Sequence, residues 1–500
     1  MFRFSILIAS VAIFLLSACG GAGNGGVGNG GAGNSSTDDG SAGGDTGGRP
    51  LVDNGTEPQE PDIDSEATTF FFSYDESSST ASRDLALTSL DNGRRPDPSL
   101  GRAYEFLNAE EFNSFTTTTV GPFDVSMGML LSENGDIPLN VVPDGDVYGL
   151  GVSITGPTRT LQERRNVVLT ILLDVSGSMD ARYAAETVSG VDSLLDVAKV
   201  GLTEMQQSLK TGDIINIVTF SNDADVEIEG HAAGDNSLDS LIDSFSTRGT
   251  TNIGAGVTLA YNVANRTFDP DKANRVIMIT DAFVNRGELD PDEIARPTVI
   301  NGLEGIFFSG IGVGSSFNDE VLNSVTEAGK GSYSAMITPS DARRIFTEGF
   351  FRFLNPAASD VRFQLTFPQQ LDQLLSFAEE ISTEASDVRT INFSFNSSQF
   401  FLELFRGTSA LTTDQELRLD ITYKDEEGEA QSASVTRSIE AMLGMGADEI
   451  RSAAAVASLA QLINGRLNCD TVLSSRLYNQ PIENPLYQSY RGYIEDFCSL

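Results

Sequence analysis

Residues 166–174, Asn-Val-Val-Leu-Thr-Ile-Leu-Leu-Asp, form a nearly unbroken apolar run that ends in a carboxylate. Such a run reads as a strand buried on both faces, as in parallel sheets. The pattern then changes period. Val191, Leu194, Leu195, Ala198, Leu202, Met205 and Leu209 recur at helical spacing, which predicts a helix over 191–209. Strands follow at Asp213–Phe220 and Asp225–Glu229, and a helix opens near Ile253. Arg275–Thr280 is a further buried strand ending in Asp281, and Gly305–Val313 another. Helices are expected at Asp319–Ala328 and Ser340–Leu354. Alternating strands and helices of these lengths predict an α/β fold with a doubly wound sheet over 166–355.

The flanks have a different period. Thr69–Tyr74 reads as a strand, and Ser82–Leu90 and Ser99–Leu107 as short helices. From Phe123 to Thr155, Val125, Met127, Met129 and Leu131 alternate with smaller or polar residues, and Asp144-Gly145 marks a turn. From Asp360 to Arg437 the alternation returns: Val361, Phe363, Leu365 and Phe367, then Leu417, Leu419, Ile421 and Tyr423. Strands with one buried face suit an antiparallel sandwich. Pairing these with the strands before 166 would leave the α/β domain inserted in, or flanked by, a β-sandwich. The expected organisation is a leader at 1–18, a tether at 19–64, an N-terminal module at 65–165, the α/β domain at 166–355, a β-rich module at 356–440 and a helical tail at 441–500. The tether is rich in Gly and Asn and cannot bury enough surface to fold. As a Gly-rich coil its mean reach is roughly 35–40 Å.

Composition narrows the function. The chain has 500 residues, 71 acidic against 32 basic, and a formal net charge of -39. Nucleic-acid binding is thereby disfavoured, because its footprint would be basic. His231 is the one histidine. It follows an apparent edge strand and reads as a loop residue, so a Ser-His-Asp triad or a His-rich zinc site has little to build with.

The chemistry with the right residue types lies after the opening run. Asp174 ends the strand, and Ser176 and Ser178 follow at alternate positions. They would lie at the C-terminal edge of the sheet, where open α/β folds place ligands. They supply only oxygen, which suits a hard cation such as Mg²⁺. This Asp-x-Ser-x-Ser segment resembles the metal-ion-dependent adhesion site of von Willebrand factor type A domains. The resemblance implies that Thr251, in Arg248-Gly-Thr-Thr-Asn, and Asp281, in Ile279-Thr-Asp, complete the metal site. It also implies that the cation, Mg²⁺ with Mn²⁺ or Ca²⁺ as alternatives, takes an acidic side chain from a protein partner. Gly329-Lys-Gly-Ser-Tyr333 and Asp341 to Phe346 are similar to a bacterial lipoprotein subfamily of these proteins. That subfamily tends to carry Asp-x-Asp-Thr where this chain has Tyr74-Asp-Glu-Ser77.

Arg3, then an apolar run from Ser5 to Leu16, reads as a signal peptide. It ends Leu-Ser-Ala-Cys19, which resembles the bacterial lipobox. The resemblance implies a lipid on Cys19 and an envelope location, and Gly20 favours the outer membrane over the inner. With Cys19 lipidated, Cys469 and Cys498 remain as an even pair in an oxidising compartment; a disulfide between them is expected, with two separate buried thiols as the alternative. The leading expectation is a lipid-anchored, metal-dependent protein-binding module rather than an enzyme. A structural factor of an envelope complex is the alternative, and an enzyme with a site elsewhere a more remote one.

Overall fold

A computed structural model describes residues 67–500, apart from 75–78, 114, 133–136, 139–144, 183–187, 235–237, 289, 304 and 355. The expected leader, Cys19, the tether, Asp75 to Ser77 and Asp144 lie outside the described residues. All eight residues of the strand Val167–Asp174 are buried. Leu169, Ile171 and Leu173 enter one apolar cluster and Leu172 enters another. With helices covering both faces, no alternation is visible in the sequence.

This strand lies between Ile214–Phe220 and Ala273–Thr280, parallel to both. Ile306–Val313 and Lys330–Met336 extend the sheet on the Ala273–Thr280 side, also in parallel. Ala224–Ala232 closes the other edge antiparallel. The strand order therefore reverses between Val167–Asp174 and Ala273–Thr280. That boundary is a topological switch point, where the crevice beyond the strand ends is open to a ligand.

Local chemistry moves several boundaries. The helix expected from Val191 begins at Leu194, because Ser193 and Asp196 form a capping box. The helix expected over 340–354 is Pro339–Phe346 followed by a 3₁₀ turn, Glu348–Phe353. Thr347, with φ -110° and ψ -87°, breaks it. The helix expected over 99–107 becomes a 3₁₀ turn, Pro98–Leu100, and a helix, Ala103–Ala109. Gly101 separates them: a Cβ there would lie 2.5 Å from the Ala460 carbonyl oxygen. His231 stands within the edge strand, opposite Ile215, and not in a loop after it.

Within the α/β domain, three helices and strands escape the sequence pattern. Helix Pro291–Leu303 carries Pro297 inside it. Helix Asp239–Ser244 is less than two turns long. Strand Lys330–Met336 has Gly and Ser where branched residues would mark a strand, and its register slips between Lys330 and Tyr333.

Two antiparallel sheets form the sandwich. In one, Ala67–Ser73 pairs with Pro356–Pro368, which pairs with Glu416–Lys424 and, through it, Ala430–Ser438. In the other, Ser398–Gly407 pairs with Asp146–Thr155, which pairs with Phe123–Ser132. Both sheets thus join strands from before and after the α/β domain. Phe72, Phe363, Phe401, Leu150, Val152 and Leu419 meet between them. Helix Ala447–Ile463 is almost wholly buried and packs against Pro485–Ser499 and Ala103–Ala109. Cys469 and Cys498 are joined by a disulfide, S–S 2.09 Å. No helix among the described residues is long and apolar enough to cross a membrane.

Candidate metal centre

Three loops converge beyond the C-terminal strand ends. The first follows Val167–Asp174 and carries Ser176 and Ser178. The second leads into helix Ile253–Arg266 and carries Thr251. The third follows Ala273–Thr280 and begins with Asp281.

Backbone bonds lace these loops together. The Arg248 N–H donates to the Val175 carbonyl at 2.6 Å, and the Gly177 N–H to the Gly249 carbonyl at 3.2 Å. Asn285 and Arg286 both donate their N–H to the Thr251 carbonyl at 3.2 Å. The Asn285 side chain returns a bond, accepting the Thr251 N–H at 2.9 Å. Gly249 adopts φ +69°, and a Cβ there would stand 2.6 Å from the Asn222 side-chain oxygen, so the turn before Thr251 requires glycine.

Four of the five expected residues form one polar chain. The Ser176 N–H donates to Asp174 Oδ1 at 2.7 Å. Ser176 Oγ and Ser178 Oγ are 3.0 Å apart, and Ser178 Oγ donates to Asp281 Oδ1 at 3.1 Å. Thr280 Oγ1 takes the second oxygen of Asp174 at 2.6 Å. Asp174 thereby orients the Ser176 backbone, and each of its oxygens keeps a further lone pair.

The fifth residue gives the test of fit. Thr251 Oγ1 is buried and has no hydrogen-bond partner among the described residues. A buried hydroxyl left unmatched costs about 1–3 kcal/mol. Asp174 and Asp281 are also buried, and no Lys or Arg among the described residues pairs with either. Burial pushes Asp174 up to about 6 against the hydrogen bonds from Thr280 and Ser176, with a smaller push from Asp281. Burial likewise raises Asp281, opposed by Ser178 and the Phe283 N–H. Two uncompensated carboxylates, two serine hydroxyls and an orphaned threonine hydroxyl fit a hard divalent cation. No cluster of three His, Cys, Asp or Glu suited to a metal occurs among the described residues. This site has two carboxylates and takes the rest of its oxygens from hydroxyls.

Sequence reasoning missed Thr280, Asn285 and Phe283. A threonine inside a buried strand, directly before Asp281, was the available signal for Thr280. Phe283 is 46% exposed and lies two residues beyond Asp281, beside the half-buried Ser178 end of the polar chain. Nothing in the local pattern separates Asn285 from an ordinary loop residue.

A doubly wound α/β domain with a hydroxyl-rich oxygen site at its switch point is what fold and side chains define. The family model for the von Willebrand factor type A domain matches residues 169–283, so the chain carries a domain of that family. Uncharacterized protein YfbK of Escherichia coli (strain K12) is 30% identical over 220 residues, 44% of this chain and 36% of that protein. The chain thus spans about a third of that relative's length. Among solved structures, a von Willebrand factor type A protein from Catenulispora acidiphila aligns over 77% of this chain and 91% of its own, at 16% identity and TM-score 0.43. Proximal thread matrix protein 1 from the mussel byssus, described with a zinc-occupied MIDAS motif, aligns over 39% of this chain and 46% of its own, at 18% identity and TM-score 0.30.

Proposed function

We propose that this chain is a lipid-anchored cell-envelope protein that binds a protein ligand through a divalent cation held by Asp174, Ser176, Ser178, Thr251 and Asp281. The observation that carries the reading is the orphaned Thr251 hydroxyl beside two buried carboxylates without a counter-charge. When bound, the cation would offer a coordination position to an Asp or Glu of the partner. Mg²⁺ suits the all-oxygen donor set, with Mn²⁺ and Ca²⁺ as alternatives.

The chain's own residues do the rest. Ser176 and Ser178 present neutral hydroxyls, so the site keeps a net affinity for a partner's negative charge. Asp174 and Thr280 fix the first loop, and Asn285 fixes Thr251. Phe283 offers an apolar contact beside the acidic group that docks. Binding of this kind needs no general base. His231, facing Ile215 on the edge strand, lies away from the strand ends that carry Asp174 and Asp281. The lipid on Cys19, the leader before it and the outer-membrane location rest on the Leu-Ser-Ala-Cys19 pattern.

A pull-down from membrane extracts tests the reading. A partner retained in Mg²⁺, released by EDTA and lost with Thr251→Val is expected. Retention indifferent to all three conditions would overturn it.

A further inference from the structure

The strand that leads to Asp281 carries an unusual charge near its other end. Arg275 is the third residue of Ala273–Thr280 and only 6% exposed. Its guanidinium donates to the Asn274 carbonyl at 2.8 Å and stands 4.6 Å from the centre of the Phe307 ring. No carboxylate among the described residues pairs with it. Burial lowers the Arg275 pKa to about 9, with a smaller push from a second cation, Arg165. Among the described residues Arg165 donates to the backbone carbonyls of Asp271 and Pro270, at 2.9 and 2.6 Å, and Asp269, already paired with Lys272, is the carboxylate that feels its charge.

Two arginines nearby in sequence are instead paired with carboxylates. Arg164 makes a bidentate pair with Asp213, and Arg159 makes one with Glu426. In a chain with 71 acidic residues, partners for Arg275 and Arg165 were not scarce. A buried guanidinium without a counter-charge is costly, and a ligand that supplies the charge removes the cost. Both arginines line one cleft of about 800 Å³, between the foot of the α/β sheet and the sandwich. That volume suits a small molecule.

We infer that this cleft binds a small molecule through a phosphate-type oxyanion, held by Arg275 at its inner end and Arg165 at its mouth. Two unpaired guanidiniums match the charge of a phosphate, about -1.5 to -2 at neutral pH, better than a single carboxylate. The rest of the rim limits size. Glu163, Asp425 and Glu427 share the lining and would repel a long polyanion. Glu426 is neutralised by Arg159. The site is about 20 Å from the metal centre, judged from six residues of extended strand.

The test is titration of inorganic phosphate into EDTA-treated protein at constant ionic strength, read by calorimetry and thermal unfolding. Saturable binding with a rise in Tm is expected. Arg275→Met should weaken it at least tenfold while leaving the phosphate-free protein as stable or more so, because it deletes an uncompensated buried charge. Arg165→Gln, at an exposed position, should weaken it several-fold, and decides the matter if Arg275→Met does not fold. No binding by the wild type, equal binding by the variants that fold, or an equal response to acetate would overturn the proposal.

Discussion

Thr280 Oγ1 donates to Asp174 Oδ2 at 2.6 Å, across the boundary where the strand order reverses. The same hydroxyl accepts the Ala282 N–H at 2.8 Å, and Ala282 adopts φ +55°. One side chain therefore sets both the Asp174 carboxylate and the turn that aims Asp281. Thr280→Val keeps the shape and removes the hydroxyl. A loss of about 1–3 kcal/mol in stability is expected, together with weaker cation binding. Chemical denaturation and cation titration on the same variant check both, and an unchanged affinity would show that Thr280 is only structural.

Entry into the α/β domain is fixed by a second buried relationship. Arg164 and Asp213 are both fully buried and joined by two bonds, 3.0 and 2.5 Å. Asp213 also accepts the N–H of Val167, at the start of the central strand, and of Lys210. Asp213→Ala strands a buried guanidinium, so a loss of about 3–5 kcal/mol is expected in urea unfolding. Asp213→Asn should cost less, because one oxygen acceptor survives.

Stability should fall with pH for a reason outside the metal centre. Glu403 is buried in the strand Ser398–Gly407, where burial pushes it up to about 8, against hydrogen bonds from Ser376 and Gln373. The folded chain then holds a proton that the unfolded chain releases near 4.5. This contribution is full below that value and is lost as pH rises toward about 8. The expected slope is a fall of roughly 1.4 kcal/mol per pH unit relative to Glu403→Gln. Denaturant unfolding of both proteins at pH 5, 6, 7 and 8 measures it. Parallel profiles would contradict the assignment.

Much of the α/β domain was legible because its strands are continuous apolar runs and its helices repeat at helical spacing. Val167–Asp174 and Asp319–Ala328 are cases where pattern and structure coincide. Lys330–Met336 was not legible: a parallel strand built on Gly331, Ser332 and Ser334 looks like a turn until its neighbour is known. Helix Pro291–Leu303 was hidden by the internal Pro297. At the site, residue types alone suggested oxygen coordination at Asp174, Ser176 and Ser178. Thr251 and Asp281 came from resemblance, since loops far apart in sequence meet only in the folded chain. The unmatched Thr251 hydroxyl and the unpaired Arg275 are facts of packing that no local pattern carries.

The central claim is that these five residues hold one divalent cation. Mn²⁺ titration of EDTA-stripped protein, with free ion counted by electron paramagnetic resonance, tests it most directly. One Mn²⁺ per chain, displaced by excess Mg²⁺ and lost in Thr251→Val and Ser176→Ala, is the predicted result. Equal Mn²⁺ uptake by wild type and both folded variants, or none by the wild type, would contradict it.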